Sequence, residues 1–535
     1  MPGTLGAMSE HPPQGFERRC DVAIVGGSAA GLAAALQLVR QRRSVIVVDD
    51  GTPRNLTAEV AHGYLGHDGV RPGELVAAGR AEVRRYGGEV VTGRVLQVAR
   101  TEEGELRLEL TGGHAVVARR VLAATGCADE LPDLDGLAAH WGSGVVHCPF
   151  CHGDEVGDRR VVQVVTHPAG LHTAPLFWRL AGQLTIVLHG VAGADAGLVD
   201  GLRAAGVEVL DATVRRVVTG VDGAVAAVEL DGGRRLPADV VAVGPRWRVR
   251  VAPFTGLGLE PAPHPSGLGD VVEVDATGAT SVPGLFAAGN LTDPSRQLLL
   301  AAADGSRVGA MIAVDLAEED LRAGPRPSAA EADWDHRYGG APLWSGNPNG
   351  ALVVELAGAT PGRALDVGAG EGGDALWLAR QGWKVTASDI SRRGLDRLAA
   401  AARQHGLDVE CLHADANAIE PFAPGAFDLV SAHYASIPRT PDRRAVRNLL
   451  AAVAPDGTLL VVGHDLGPMR APLDVAAASR PFDPDAYVRV DDVAEVLAGE
   501  AGWEVQLHEI RPRPPGAASA GHHVDDVVLR ARRRR

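Results

Sequence analysis

Positive charge, cysteine and long apolar runs are all scarce in this chain, and each scarcity excludes something. Fifty-two Lys and Arg against 67 Asp and Glu leave a formal charge of −15 at pH 7. That balance excludes nucleic acid and anionic membrane as main partners, because binding phosphate needs clustered positive charge. The basic run from Arg532 to Arg535 is short and reads as a solvated end. No uncharged stretch is long enough to span a bilayer. Residues 1–19 are polar and proline-containing, without the apolar core of a signal peptide. Five cysteines in 535 residues cannot form a disulfide framework. Cys20, Cys127 and Cys411 stand apart, in contexts expected of plain buried thiols. The chain therefore reads as cytoplasmic. Aromatic residues are few at 4%, yet hydrophobic residues reach 46%, and the length calls for two to four domains.

The two remaining cysteines are paired in Cys148-Pro149-Phe150-Cys151-His152. Thiols three positions apart can share one face of a helical turn and close reversibly into a disulfide. In a reducing compartment such a pair is catalytic or metal-binding rather than structural. His152 puts an acid/base within reach of either sulfur, which dithiol exchange needs to move a proton. A zinc site built from His147, Cys148, Cys151 and His152 is disfavoured. Adjacent residues rarely reach one tetrahedral metal together, and no second CxxC exists. No metal is expected.

Upstream, the apolar run Asp21–Val25 meets Gly26-Gly27-Ser28-Ala29-Ala30-Gly31. A helical stretch over 32–41 follows, then the strand-like run Ser44–Val48 ending in Asp49. Strand, glycine turn, helix, strand and acid in this order form a dinucleotide-binding βαβ unit. The turn approaches a pyrophosphate, the helix N-terminus stabilises its charge, and Asp49, 18 residues beyond Gly31, accepts ribose hydroxyls. Ser28 stands where a second glycine is usual.

Further segments come in order: Ala124-Thr125-Gly126, the CxxC, Gly284-Leu-Phe-Ala-Ala-Gly289-Asn290, and Arg296-Gln297. With the first turn they make residues 20–320 resemble the low-molecular-weight thioredoxin reductases. The resemblance implies bound FAD, held by Gly26, Gly27, Ser28, Gly31, Asp49, Thr125, Gly126, Gly289, Asn290, Arg296 and Gln297, and a homodimer. Asn290 replaces an Asp usual in that family. The second, NADPH-binding turn of those reductases should follow the strand Val161–Val165. Thr166-His-Pro-Ala-Gly-Leu171 stands there instead, and Leu188-His189-Gly190 stands where two arginines would meet a 2′-phosphate. NADPH binding is therefore doubtful. CPxCH beside a weak nicotinamide site resembles the dithiol oxidases of the gliotoxin and holomycin type. By that resemblance Cys148 exchanges with a substrate sulfur, Cys151 faces the flavin and passes electrons on, and His152 deprotonates the incoming thiol. An NADPH-dependent thioredoxin-type disulfide reductase remains the alternative.

Past an acidic, then Gly-Pro-Arg-Pro stretch that reads as a linker, a second βαβ unit appears. Arg363–Val367 is its first strand and Gly368-Ala-Gly370-Glu-Gly372 its turn. A helix over 373–381 and a strand over 384–388 follow, ending in Asp389. Opening on Asp366, this unit resembles the class I S-adenosylmethionine-dependent methyltransferases. By that resemblance Asp366, Gly368, Gly370 and Gly372 lie under the methionine part, Asp389 takes the ribose, and Asp415 stands by the adenine. Trp334 to Tyr338 and Trp344 to Pro348 resemble the lid of the tellurite and thiopurine methyltransferase group, whose acceptors are soft nucleophiles. His433 and Tyr434 follow Phe427–Val430, which resembles that family's fourth strand, and face where a substrate would enter.

The expected fold is α/β. It comprises a thioredoxin reductase-like FAD-binding Rossmann-type domain (18–153 and 247–320), an inserted, degenerate NAD(P)-binding-like domain (154–246), a linker (321–333) and a class I methyltransferase domain (334–535). The expected function is an FAD-dependent thiol–disulfide oxidoreductase of dithiol-oxidase type fused to a methyltransferase. Small-molecule thiols are the expected substrates.

Overall fold

The computed structural model describes residues 15–324, 326–513 and 525–535. The signal-peptide reading falls largely on residues 1–14, outside that set. Three sheets organise the described chain. In the first, β1 (Glu17–Val25), β2 (Val45–Asp49), β3 (Glu89–Thr92), β4 (Val95–Arg100), β5 (Leu106–Leu110) and β6 (Ala115–Ala123) lie in the order β3-β2-β1-β6-β5-β4. Leu285–Ala287 returns to pair with β6. Alternation along β1 feeds two cores. Cys20, Ala23 and Val25 pack into one, while Val22 and Ile24 pack into the other beneath α1 (Ala29–Arg40), together with Val83 of α2 (Pro72–Arg85). Burial on both faces is why β1 and β2 read as continuous apolar runs.

The second sheet orders β7 (Val145–Val146), β8 (Arg160–Val164), β9 (Gln183–Val187), β10 (Glu208–Leu210) and β11 (Val240–Val243) as β10-β9-β8-β11-β7, all parallel. The third sheet belongs to the C-terminal module. Its strands are β12 (Arg363–Val367), β13 (Lys384–Asp389), β14 (Val409–His413), β15 (Phe427–His433), β16 (Val453–His464), β17 (Trp503–Pro512) and β18 (Asp525–Arg533). They run β14-β13-β12-β15-β16-β18-β17, with β18 antiparallel to both neighbours. The ends of β12, β13 and β15 lie side by side, so the residues that follow them share one sheet edge.

The structure departs from the sequence reading in three places. The terminal arginine run is partly structured: Arg532 and Arg533 complete β18, where Arg533 donates to the Val453 carbonyl at 2.6 Å, while Arg534 and Arg535 lie beyond the strand and are exposed, Arg535 pairing with Asp456. Cys411, on β14, is exposed, whereas Cys20 and Cys127 are buried. The linker region is mostly helical, because α3 (Leu298–Ala323) runs into it and α4 (Ala329–Arg337), capped by Ser328, begins inside it. Its acidity has a purpose in packing. Asp333 on α4 accepts from Arg18 Nε at 2.9 Å and from the Arg19 N–H at 2.6 Å, joining the third sheet's module to β1. Arg18 also bonds Glu89 at 2.8 Å, and the three side chains are 5–8% exposed.

Candidate active sites

The first site is a cavity of about 800 Å³ between the first two sheets. Gly26, Gly27, Ser28, Asp49, Thr125, Gly126, Cys148, Cys151, His152, Asn290, Arg296 and Gln297 all line it. Gly31 and Gly289 stand just behind the wall. The turn after β1 is shaped by close approach: a Cβ on Gly31 would lie 1.9 Å from the Gly26 carbonyl oxygen. Ser28 is the N-cap of α1 without a capping side-chain bond, so the first N–H groups of that helix point outward free. Asp49 pairs with Arg80 and accepts the Gly51 N–H at 3.3 Å. Arg296 is held by buried Asp304 at 2.5 Å, and Asp304 also takes the Gly289 N–H at 2.9 Å. Asn290 donates to the carbonyls of Asp293 and Arg296. This long cavity, with an anion-binding helix end and an acid one strand over, fits an FAD.

Cys148 and Cys151 form a disulfide, Cα atoms 5.3 Å apart, in a turn after β7. The Cys148 carbonyl accepts from both Cys151 N–H and His152 N–H, so a single helical-type turn presents the sulfurs. Burial holds the His152 imidazole below its ordinary pKa, with Glu155 opposing, and its Nδ1 is buried without a hydrogen-bond partner. His147, stacked on Trp141 with ring centroids 5.4 Å apart, is pushed down by burial to about 4. Both rings are thus neutral at pH 7, and His152 is free to accept a proton. Sequence reasoning missed two other groups here. Arg54 bonds Asp129 through Nε and Nη2 at 2.8 and 2.6 Å. His62, on the loop after β2, meets Glu155 at 2.7 Å. No motif signals either.

The segment after β8 is not a glycine turn. Pro168–Thr173 forms a 3-10 helix with Leu171 buried, the His167 ring takes the Ala169 N–H, and Gln163 bonds the Gly170 carbonyl at 2.9 Å. His189 is turned away into a bond with Val214 N–H at 2.9 Å.

The second site lies at the edge formed by β12, β13 and β15. Gly368, Gly370 and Gly372 all take positive φ, at 75°, 54° and 92°. Asp389 accepts the Gly370 and Ser391 N–H groups, each at 2.8 Å, and so ties the turn to the end of β13. Asp366 bonds Ser431 at 3.2 Å; burial and the neighbouring Asp374 push its pKa up to about 7. Asp415 is exposed, caps the Asn417 N–H, and follows Ala414, whose N–H bonds the Asp389 carbonyl. Tyr338 and Trp344, in the lid-like segment, bond each other at 3.2 Å beside Gly370. His433 forms a buried pair with Asp374 at 2.7 Å, at the start of α5 (Gly373–Arg380). Tyr434, at φ 51°, stacks on His464 and lines a second cavity beside the turn. The turn, the buried acid and the neighbouring uncapped start of α5 fit S-adenosylmethionine.

Residues 20–306 match the pyridine nucleotide-disulphide oxidoreductase family, and residues 364–457 match a methyltransferase domain. The chain is similar to thioredoxin reductase tcpT of Claviceps purpurea (strain 20.1), with 30% identity over 50% of this chain and 86% of that protein. It is also similar to thioredoxin reductase sirT of Leptosphaeria maculans, with 28% identity over 57% and 96%. Among solved structures, HlmI is 36% identical, with a TM-score of 0.53 over 58% of this chain and 95% of that one. An oxidoreductase from Agrobacterium tumefaciens is 34% identical, with a TM-score of 0.52.

Proposed function

The chain belongs to the pyridine nucleotide-disulphide oxidoreductase family and joins that oxidoreductase to a methyltransferase domain; we propose that the first module closes small-molecule dithiols into disulfides and the second methylates small thiols. One observation supports this above others: the Cys148–Cys151 disulfide and the glycine turn line the same cavity, next to a neutral His152. Gly26, Gly27, Ser28, Gly31 and the start of α1 would hold the FAD pyrophosphate, and Asp49 a ribose. Thr125, Gly126, Gly289, Asn290, Arg296 and Gln297 would frame the rest of the cofactor. FAD, when bound, accepts the electron pair released as the enzyme dithiol closes.

His152 takes the proton of an incoming thiol, and the thiolate attacks Cys148, releasing Cys151 as a thiolate. The second substrate thiol then displaces Cys148 and leaves as a cyclic disulfide, with both electrons now on the enzyme dithiol. Closure of that dithiol returns the pair of cysteines to the disulfide, and molecular oxygen is the proposed final acceptor. The 3-10 helix at 168–173 argues against NADPH as the electron source.

In the second module Asp366, Gly368, Gly370, Gly372, Asp389 and Asp415 would hold S-adenosylmethionine, which supplies an electrophilic methyl group. Transfer to a thiolate depends mainly on positioning and desolvation. A homodimer and a cytoplasmic location belong to the same proposal.

The test is flavin absorbance under strict anaerobiosis, with NADPH added to one sample and a small dithiol to another. Bleaching by dithiol alone, with recovery and peroxide formation on admitting air, is the expected result. Rapid bleaching by NADPH would make the protein a reductase.

A further inference from the structure

A second cavity, of about 470 Å³, opens on the methyltransferase module beside its glycine turn. Ala435 joins the two: it lines the cavity, and its Cβ lies 2.9 Å from where a Cβ on Gly368 would stand. Ile437, Leu449, Val461 and Val493 give the cavity an apolar side, Arg470, Arg489, Asp491 and Glu509 a charged one, and the volume suits a small organic molecule. One wall is the stretch 482–489, through Phe482, Pro484, Tyr487 and Val488.

The oxidoreductase module holds the start of that wall and the chain leading into it. Arg480 N–H donates to the Thr92 carbonyl at 2.9 Å, at the end of β3. Asp483 accepts from Val90 N–H at 2.9 Å and from Arg84 at 2.7 Å, and its own N–H donates to Glu89 at 3.0 Å. Thr111 meets the Ser479 hydroxyl at 2.6 Å and donates to the Val475 carbonyl at 2.9 Å. The Tyr487 hydroxyl donates to Glu89 at 2.7 Å, beside Arg18. Among the described residues, the hydrogen bonds that leave 475–483 run to the oxidoreductase module, apart from local ones to Ala471, Asp474, Asp485 and Ala486. The methyltransferase's own body takes over only beyond, where Arg439 N–H meets the Ala486 carbonyl and Val488 N–H the Ile437 carbonyl.

We propose that this cavity receives the methyl acceptor, a small thiol with an apolar body, and that the oxidoreductase module acts as the scaffold of its wall. The acceptor's class rests on the thiol-methylation reading above; the scaffold role does not. The methyltransferase sheet can bind its methyl donor unaided, since the glycine turn and Asp389 lie within one sheet edge. Acceptor binding requires docking of the two modules. Buried carboxylates across the joint oppose undocking, because separating the modules would leave Asp333 without Arg18 and Asp483 without Arg84.

The experiment uses the full chain and two variants, Thr111→Val and Asp483→Asn, neither of which touches a cofactor-binding residue. Hydrogen exchange is read over 475–489, S-adenosylmethionine affinity by calorimetry, and methyl transfer with benzenethiol as acceptor. Each variant is expected to raise exchange over 475–489 tenfold or more and KM for benzenethiol at least tenfold. Donor affinity should stay within twofold, and anaerobic flavin reduction by dithiol should be unchanged. Unchanged exchange in both variants overturns the scaffold role, as does an unchanged KM with raised exchange. A wild-type protein that methylates no thiol overturns the acceptor assignment alone, and the exchange result still decides the scaffold.

Discussion

Replacing His152 by Gln should slow dithiol oxidation by a factor that depends on pH. Burial keeps this imidazole below its ordinary pKa, so it is unprotonated at pH 7, and its buried Nδ1 has no other partner. A free thiol with a pKa of about 8.5 is only ~3% ionised at pH 7. If His152 takes the thiol proton, the variant must rely on that spontaneously ionised fraction. Its rate of anaerobic flavin bleaching should fall by up to about 30-fold at pH 7. As pH rises the thiol ionises without help, so the deficit should shrink to within about twofold near pH 9. The wild-type rate should drop only on the acid side, once pH falls through the lowered pKa of His152. Stopped-flow bleaching with a single dithiol between pH 5.5 and 9.5 gives the whole profile. A deficit of constant size across that range would mean that His152 only shapes the turn, and no deficit would remove it from the reaction.

The sequence made the sheets legible where burial is two-sided. A continuous β-branched run such as Val45–Val48 reads as a buried parallel strand beside a glycine turn. Glycine turns are legible because a backbone that must pass within contact of another excludes every side chain, as at Gly31. Ion pairs between distant segments are different, since nothing local marks them. Arg18, Glu89 and Asp333 lie 71 to 315 residues apart, and each alone reads as a surface charge. Residues 331–333 fell inside the expected linker for this reason, although Glu331 and Asp333 are buried partners. Tyr487 and Asp483 were silent on the same grounds. His433 was noticed as following a strand, but its pairing with Asp374 depends on α5 crossing β15, which no sequence spacing encodes.

Further outcomes follow from the same geometry. Cys148→Ser and Cys151→Ser should each abolish anaerobic bleaching by dithiol while leaving S-adenosylmethionine binding intact; bleaching in either variant would show electrons bypassing the pair. Gly31→Ala places a Cβ against the Gly26 carbonyl, a backbone atom that no side-chain rotation can relieve. The purified variant should lose most of its flavin absorbance, and full retention would refute the close approach. Asp389→Ala removes a buried carboxylate that also fixes Gly370 and Ser391, and should weaken donor binding by about 2–3 kcal/mol, roughly 30- to 150-fold by calorimetry. Acid stability depends on His147. Its folded pKa is about 4 against an ordinary 6.5, so between those values the unfolded chain binds a proton that the folded one refuses. The stabilisation is complete above pH 6.5 and is lost as pH falls toward 4, amounting to about 2 kcal/mol by pH 5 and about 3 kcal/mol in full. In His147→Phe this part of the pH dependence should vanish, since the ring stays stacked on Trp141 but cannot take a proton. Urea midpoints at pH 7 and 5 measure it, and parallel losses in wild type and variant would place the acid sensitivity on another group.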